Sequence, residues 1–127
     1  MNETLSVRDE EKQSFELWEK LVKEKARQRE RERRRLLDRL LEALDQLARD
    51  YRWEELYVFG SLIKPGRFRL DSDVDVAVRG LNKFDHFALV GGLSMLIERP
   101  VDVVMLEECP FAETIVLKGM KWQRKET

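Results

Sequence analysis

The chain has 127 residues, about the size of one domain, with 24 Lys and Arg against 25 Asp and Glu and a net charge of −1. This balance provides no overall field that favours nucleic acid or a membrane surface, and the single cysteine, Cys109, excludes a disulfide framework or a cysteine-rich zinc site within one chain. Since no apolar stretch approaches the roughly 20 residues of a membrane span and the N-terminus lacks a secretory-signal pattern, we expect a soluble cytoplasmic protein.

The first fifty residues differ in composition from the rest of the chain. Residues 1–50 contain no Gly and no Pro, whereas all six Gly and all three Pro lie after Tyr51. Because Gly and Pro interrupt helices, we predict a helical N-terminal extension over residues 1–50 and a compact α/β domain over residues 51–127. Apolar side chains at helical spacing support the extension. They are Phe15, Trp18, Leu21, Val22, Leu36, Leu37, Leu40, Leu41, Leu44 and Leu47.

Between the two apolar groups lies a basic stretch, Lys23 to Arg35, with eight basic and three acidic residues. One interpretation is a nucleic-acid-binding arm. However, residues 1–50 hold 13 basic and 13 acidic residues, and the interspersed Glu side chains suit helix-stabilising ion pairs. We therefore favour a solvated bridge, within one long helix or at a joint between two, and do not expect direct nucleic-acid binding. Phe15 and Trp18 either fold back onto the domain or mark a surface for another protein, including a second copy of this chain.

After the extension, the predicted order is strand, turn, strand, helix, strand, helix. Strands are predicted at Leu56–Phe59, Asp73–Val78 and Val101–Leu106, because these are short apolar runs bounded by turn residues. Helices are predicted at Lys83–Glu98, ended by a proline, and at Pro110–Trp122, with a proline near its start. The apolar positions of the first helix include Phe84, Phe87, Leu93 and Ile97, and on the second we expect Phe111 and Trp122 to pack on the sheet.

Three aspartates lie on the second and third predicted strands. Asp73 and Asp75 share one face because side chains alternate along a strand, while the neighbouring valines face the core. Two like charges this close repel one another, and a divalent cation such as Mg²⁺ or Mn²⁺ relieves the repulsion. Asp102 lies inside a third apolar run, where its burial is costly without a partner. We interpret the three as a shared metal site, although Asp-x-Asp alone usually marks an edge strand or a turn.

Gly60 and Ser61 close the first predicted strand, and Asp73 follows twelve residues after the serine. A glycine at this position lets the backbone approach a ligand closely. Ser61 offers a hydroxyl and an N–H, and the next residues can begin a helical turn whose free N–H groups attract anions. Gly-Ser alone is a weak signal, but its place between a strand and paired aspartates indicates a phosphate-binding turn.

The segments Gly60-Ser61-Leu62-Ile63-Lys64 and Asp71-Ser72-Asp73-Val74-Asp75 together resemble the signature of the DNA polymerase β-like nucleotidyltransferases. More narrowly, they resemble the minimal nucleotidyltransferase (MNT) group, in which a G-S-x-A-R-G pattern is followed by S-D-x-D. The resemblance covers about residues 51–122, including the order of the strands. It implies an α/β (α+β) polymerase β-like fold, with a small mixed sheet and flanking helices, here preceded by a long N-terminal helix.

The resemblance also implies a role for each matching residue. The phosphate loop, which in this family holds the triphosphate of ATP, is matched by Gly60, Ser61 and Lys64. The carboxylates that bind two Mg²⁺ ions are matched by Asp73, Asp75 and Asp102. In the family, the third of these also helps to deprotonate the attacking hydroxyl, which implies this role for Asp102. The metals would clamp the attacking and leaving oxygens at the α-phosphate, with pyrophosphate as the leaving group.

A function follows from the same resemblance. MNT proteins are typically paired with a small helical HEPN protein in toxin–antitoxin modules, and characterised members adenylylate a tyrosine of the HEPN toxin. Residues 51–127 have no room for a separate acceptor domain, so the acceptor would come from another molecule. The implied function is therefore Mg²⁺-dependent transfer of AMP from ATP to a HEPN partner, with this chain as the antitoxin.

Two positions depart from the MNT pattern. Lys64 stands where the family has arginine and loses its bidentate fork, and the spacing from Ser61 to Asp73 is one residue longer, with Pro65 as the inserted position. These changes and the long helix favour an alternative, a non-catalytic module of the same fold that neutralises a partner by contact alone. A third interpretation, an antibiotic-modifying enzyme, needs an acceptor pocket for which the chain is short.

Overall fold

The computed structural model of the chain describes residues 7–125. The helices are α1 (Val7–Leu47), α2 (Lys83–Ile97) and α3 (Ala112–Lys118), and the strands are β1 (Glu55–Phe59), β2 (Val74–Arg79), β3 (Val101–Met105) and β4 (Met120–Trp122). Two short 3₁₀ turns, Gly60–Ile63 and Leu106–Glu108, directly follow β1 and β3. No helix among the described residues is long and apolar enough to cross a membrane.

The four strands form one mixed sheet in the order β3-β2-β1-β4. Strands β1 and β2 pair antiparallel, with Phe59 opposite Asp75. Strand β4 pairs with the other edge of β1, also in the antiparallel direction. β3 runs parallel to β2, with Asp102 beside Asp75, because α2 crosses over between these two strands. The register therefore brings the end of β1 and two aspartates to one region of the sheet.

Helices α1 and α2 cover one face of this sheet. The valines of β2, Val74, Val76 and Val78, are fully buried on that face. The last turns of α1 pack into the same core through the buried residues Leu36, Leu40, Ala43, Leu44 and Leu47. The core thus extends across residue 50, and the compact part of the molecule includes the C-terminal half of α1.

Of the two arrangements left open for the N-terminal extension, the structure confirms one long helix, since α1 runs without interruption over residues 7–47. Its 41 residues span roughly 60 Å at 1.5 Å per residue. Every described residue before Arg33 is exposed or only partly buried, so the first half of α1 projects beyond the compact core.

The predicted terminal helix Pro110–Trp122 was wrong in extent. The helix ends at Lys118, and Met120–Trp122 instead form β4. Gly119 permits the change of direction, since a Cβ there would lie 2.6 Å from the carbonyl oxygen of Ile115. Trp122 does pack in the core as expected, against Trp53 with ring centroids 5.3 Å apart.

Three aromatic side chains expected at apolar positions lie in solvent instead. Phe84 and Phe87 on α2 are 90% and 83% exposed, and Phe111 before α3 is 55% exposed. Leu89, Leu93 and Ile97 form the buried side of α2, because only one side of a helix lying on a sheet can reach the core.

Candidate active site

The face of the sheet opposite α1 and α2 is apolar only in part. Tyr57 and Ala77 are buried beneath α3, together with Leu106 and Ile115. Next to this small cluster, Asp75 alternates with the buried valines of β2 and projects from the less covered face. Acidic groups therefore collect where β2 begins and β1 ends.

The carboxylate of Asp75 lies near two further carboxylates, those of Asp73 and Asp102. Asp75 lies between the others, half-buried and directly beside Asp102 of β3 in the parallel register. Burial, followed by the negative charges of Asp102 and Asp73, raises the pKa of Asp75 above its ordinary value. The protein thus holds Asp75 in an environment that opposes its charged form and that a cation would relieve.

Asp102 differs from its predicted environment. We expected a buried carboxylate whose cost required a partner, but β3 is the edge strand of the sheet and Asp102 is exposed. Its link to the site therefore rests on its register beside Asp75 and not on burial. Among residues 7–125, no group of three or more His, Cys, Asp or Glu side chains is arranged to hold a metal ion by itself.

Gly60 brings the backbone against the central carboxylate. Its φ is +81°, in the left-handed region, and a Cβ at this position would lie 2.5 Å from Oδ2 of Asp75. Any larger side chain would therefore meet both backbone strain and a clash with Asp75. The close approach to Asp75 therefore requires glycine at this position, whereas approach of the Gly60 backbone to a ligand stays a prediction.

Ser61 and Lys64 occupy the two ends of the adjoining 3₁₀ turn. Ser61 is half-buried, and its carbonyl oxygen accepts a hydrogen bond of 3.1 Å from the backbone N–H of Lys64. Lys64 is exposed and makes no ion pair within the described part of the chain. The structure thus brings Gly60 against Asp75, while Lys64 extends from the far end of the turn.

A buried arginine that sequence reasoning missed braces this turn. Arg33 of α1 is 8% exposed, and its Nη1 donates a hydrogen bond of 2.9 Å to the carbonyl of Leu62. Its other nitrogens donate to both carboxylate oxygens of Glu30, at 2.7 and 2.8 Å. These hydrogen bonds lower the pKa of Glu30 to about 2 and raise the pKa of Arg33.

Arg33 also corrects the description of the basic stretch as wholly solvated. A signal existed, since Arg33 precedes Leu36 and Leu40 by three and seven residues and so lies on the core-facing side of α1. The helix that supplies the core therefore also fixes the turn beside Asp75.

A second set of contacts holds the segment that leads to Asp73. Phe68 is buried in the core, and the guanidinium of Arg99 lies 5.3 Å from the centroid of its ring. Arg99 also donates a hydrogen bond of 2.7 Å to the carbonyl of Ser72, while the Ser72 hydroxyl accepts one of 2.9 Å from the N–H of Arg69. These contacts hold the loop segment that leads into β2.

The donor set suits Mg²⁺ bound together with a phosphate ligand. Mg²⁺ prefers oxygen ligands and is usually held by one or two carboxylates plus substrate phosphates and water, not by a complete protein cage. Asp73, Asp75 and Asp102 provide such oxygens, and the repulsion felt by Asp75 is the electrostatic condition that a divalent cation relieves. These residues therefore fit the metal-dependent chemistry that the sequence pattern predicts.

Comparison with known proteins identifies the fold. No protein-family model and no curated protein matches the chain. Among solved structures, a crystal structure of a toxin-antitoxin with AMP-PNP matches with a TM-score of 0.55 and 24% identity, over 68% of this chain and 74% of the other. The toxin-antitoxin MntA-HepT matches with a TM-score of 0.50 and 22% identity, over 68% and 71% of the two chains.

The chain therefore has a nucleotidyltransferase-type fold, with a small mixed sheet behind a long N-terminal helix, which confirms the predicted fold class. Within that class, its fold resembles that of the matched chains in the structures of the toxin-antitoxin with AMP-PNP and of the toxin-antitoxin MntA-HepT.

Proposed function

We propose that the chain is a Mg²⁺-dependent nucleotidyltransferase that transfers AMP from ATP to a tyrosine hydroxyl on a HEPN-domain toxin, and thereby acts as its antitoxin. The observation that carries the proposal is the approach of the Gly60 backbone to Asp75, with Asp102 in register beside it. This geometry supports a phosphate-binding turn next to carboxylates whose repulsion a cation would relieve.

The residues have distinct roles in the proposed reaction. The 3₁₀ turn beginning at Gly60 and Ser61 orients the triphosphate, and Lys64 supplies a positive charge at its far end. The acceptor oxygen attacks the α-phosphorus, the bond from that phosphorus to the bridging oxygen breaks, and pyrophosphate leaves with the electron pair. In the proposed reaction, Asp102 takes the hydroxyl proton from an acceptor that approaches from solvent, which its exposure at the sheet edge supports. Bound Mg²⁺ would stabilise the charge that develops on the attacking and leaving oxygens.

The partner is inferred from the fold and from the size of the site region. The solved structures with this fold include the pair MntA-HepT, a toxin with its antitoxin. The best-formed clefts among the described residues are lined by neither Asp75 nor Asp102, so the face beside these two carboxylates is open to a second protein. A second protein that presents its hydroxyl across this face satisfies both observations.

The test is transfer of label from α-labelled ATP to a HEPN protein in the presence of Mg²⁺. Asp73→Asn and Asp75→Asn should each lower transfer by at least about a hundredfold, because the carboxylates hold the charge that positions metal and phosphate. Asp71→Asn is the matched control, since Asp71 is exposed and precedes the four residues that match the S-D-x-D pattern, and this variant should keep near-parental activity. Equal transfer by the parent and both site variants would contradict the proposal.

A non-catalytic binding module is the second candidate. It is favoured by the exposure of Lys64 and by the lack of a self-sufficient metal cluster among residues 7–125. Calorimetry with ATP and Mg²⁺ separates the two candidates. Nucleotide binding that disappears in Asp75→Asn supports the enzyme, whereas tight HEPN binding with no nucleotide affinity supports the binding module.

A further inference from the structure

The projecting half of α1 carries an apolar surface that nothing in the described chain covers. Phe15, Trp18 and Val22 are 57%, 58% and 43% exposed, and Leu21 beside them is 55% exposed. The rings of Phe15 and Trp18 contact each other, with centroids 5.9 Å apart. We call these four residues the α1 patch.

The α1 patch lies on the core-facing side of the helix. Residues 15, 18, 22, 25, 29, 33, 36 and 40 follow one another at steps of three or four and therefore form one line along α1. The lower part of this line, Leu36 and Leu40, is buried against the domain. The upper part continues beyond the domain and lies in solvent, so it has the pattern of a packing surface without its counterpart.

Helices in proteins owe most of their stability to tertiary packing of their apolar side. Residues 7 to 29 of α1 include no buried side chain, yet they continue the helix for roughly 35 Å. An exposed aromatic patch on such a segment indicates that another surface packs against it.

The charges on either side of the α1 patch are self-complementary. Glu11 precedes Phe15 by four residues and Lys25 follows Val22 by three, so both lie on the patch line. Within residues 7–125, neither Glu11 nor Lys25 makes an ion pair. An antiparallel copy of the helix centred on Trp18 would place each Glu11 beside the Lys25 of the other chain, since 11 and 25 are equidistant from 18.

We propose that α1 pairs antiparallel with α1 of a second copy of this chain, with the α1 patch at the centre and two Glu11–Lys25 pairs at the ends. A two-fold symmetric interface requires a surface that is complementary to itself, and this arrangement of charge and apolar residues meets that requirement. The inference is independent of the proposed catalytic function.

In the proposed dimer, the N-terminal end of α1 from the second copy lies in a cleft where the projecting half of α1 meets the compact core. It has a volume of about 560 Å³ and lies between α1 at Lys25, Gln28 and Arg29 and the loop from Gly66 to Leu70. Neither Arg29 nor Arg69 of this cleft makes an ion pair within the described residues. In the antiparallel pair, the first turn of the second copy, with Glu10 and Glu11, reaches this basic cleft.

The first test is the mass of the purified full-length chain in solution. We expect a species of twice the 15.2 kDa chain mass that dissociates on dilution, with a red shift of Trp18 fluorescence as the patch becomes exposed. Trp53 and Trp122 are buried in the core and should not contribute to the shift.

Charge reversal tests the geometry. Glu11→Lys and Lys25→Glu should each weaken the dimer about tenfold or more, because each puts like charges together at both ends. The double variant Glu11→Lys/Lys25→Glu should restore association, since both pairs form again with opposite polarity. Glu16→Lys and Lys23→Glu are matched controls on other sides of the helix and should dimerise like the parent.

Two outcomes would overturn the proposal. One is a chain that stays monomeric at about 100 µM, far above the dissociation constant of a specific dimer. The other is a dimer that the control variants weaken as much as Glu11→Lys and Lys25→Glu do, or one whose association the double variant does not restore. If the chain is monomeric and Trp18→Ala instead weakens binding to a HEPN protein, the α1 patch is a docking surface for that protein.

Discussion

At the scale of single residues, the contact between Gly60 and Asp75 gives the site its shape. A positive φ and a missing Cβ are both needed at Gly60, and each has a separate energetic cost when glycine is replaced. Gly66 offers a comparison within the same loop region, since its φ of +87° is similar but a Cβ there would meet nothing within 4 Å.

Gly60→Ala should therefore be more damaging than Gly66→Ala. Both variants incur the strain of a positive φ, about 1 kcal/mol, but only Gly60→Ala displaces the Asp75 carboxylate. We expect Gly60→Ala to lose a further ~1–3 kcal/mol of unfolding free energy and most nucleotide affinity. Urea denaturation and ATP titration measure the two effects, and equal losses in both variants would show that the close approach is unimportant.

The raised pKa of Asp75 makes stability depend on pH in a defined direction. Because the folded protein holds the Asp75 proton more tightly than the unfolded chain does, the metal-free protein should lose stability as pH rises from the ordinary aspartate range through the raised pKa. Mg²⁺ competes with that proton, so stabilisation by Mg²⁺ should grow over the same pH range.

Thermal unfolding at a series of pH values, with and without Mg²⁺, measures this dependence. Asp75→Asn removes the titrating carboxyl and should lack both the loss of stability and the pH-dependent gain from Mg²⁺. A parent and variant with the same pH profile would exclude Asp75 as the group responsible.

At the scale of elements, α1 combines two roles. Its last turns complete the core, and Arg33 ties it to the 3₁₀ turn through the carbonyl of Leu62. A helix outside the sheet thus holds the backbone on which the proposed phosphate site depends.

Arg33→Met should destabilise the protein by about 1–3 kcal/mol, because the carbonyl of Leu62 loses its donor in a buried position. It should also weaken nucleotide binding as the turn loosens. Arg31→Met is the control, since Arg31 is exposed and pairs only with Glu24 on the surface, where ion pairs contribute little. Chemical denaturation of the two variants tests the difference, and equal stabilities would argue against the brace.

The strand β4 shows how tertiary packing determines local structure. Trp122 is buried against Trp53 and donates a hydrogen bond of 3.1 Å from its indole N–H to Asp45 of α1. Trp122→Ala should cost about 3–5 kcal/mol of unfolding free energy, as large aromatic truncations in cores do. Lys121→Ala, an exposed neighbour on the same strand, should stay within about 0.5 kcal/mol of the parent. A loss of unfolding free energy in Trp122→Ala no larger than in Lys121→Ala would show that β4 does not contribute to the cooperative core.

At the scale of the whole molecule, the core includes part of the N-terminal extension. Residues 7–24, the described part of a deletion of residues 1–24, have no side chain in the core, so this deletion should leave the thermal midpoint within a few degrees of the parent. Deletion of residues 1–50 removes Leu36, Leu40, Leu44 and Leu47 and should abolish cooperative folding. Circular dichroism melts of both truncations test this, and a folded 51–127 fragment would make the sheet region an independent domain.

Much of this architecture was predictable from local pattern. The three strands β1, β2 and β3 and the helix α2 were found at nearly their observed positions, because alternation and helical spacing in the sequence reflect burial of one face. The sequence placed Gly60 at the end of one strand and Asp75 near the start of the next, and the antiparallel pairing of β1 with β2 brings the two residues together.

The remaining features depended on which surfaces meet in three dimensions. Asp102 is exposed because β3 lies at the sheet edge, and Arg33 is buried because the turn after β1 packs beneath α1. Phe84 and Phe87 lie in solvent because the opposite side of α2 packs in the core.

The sequence by itself determined the first three strands, α2 and the choice of candidate site residues, because periodicity and turn chemistry act over a few neighbouring residues. Only the tertiary structure decided the fourth strand, the arginine brace and the uncovered half of α1. These features arise from contacts between segments far apart in the chain, and burial energy there outweighs local preference.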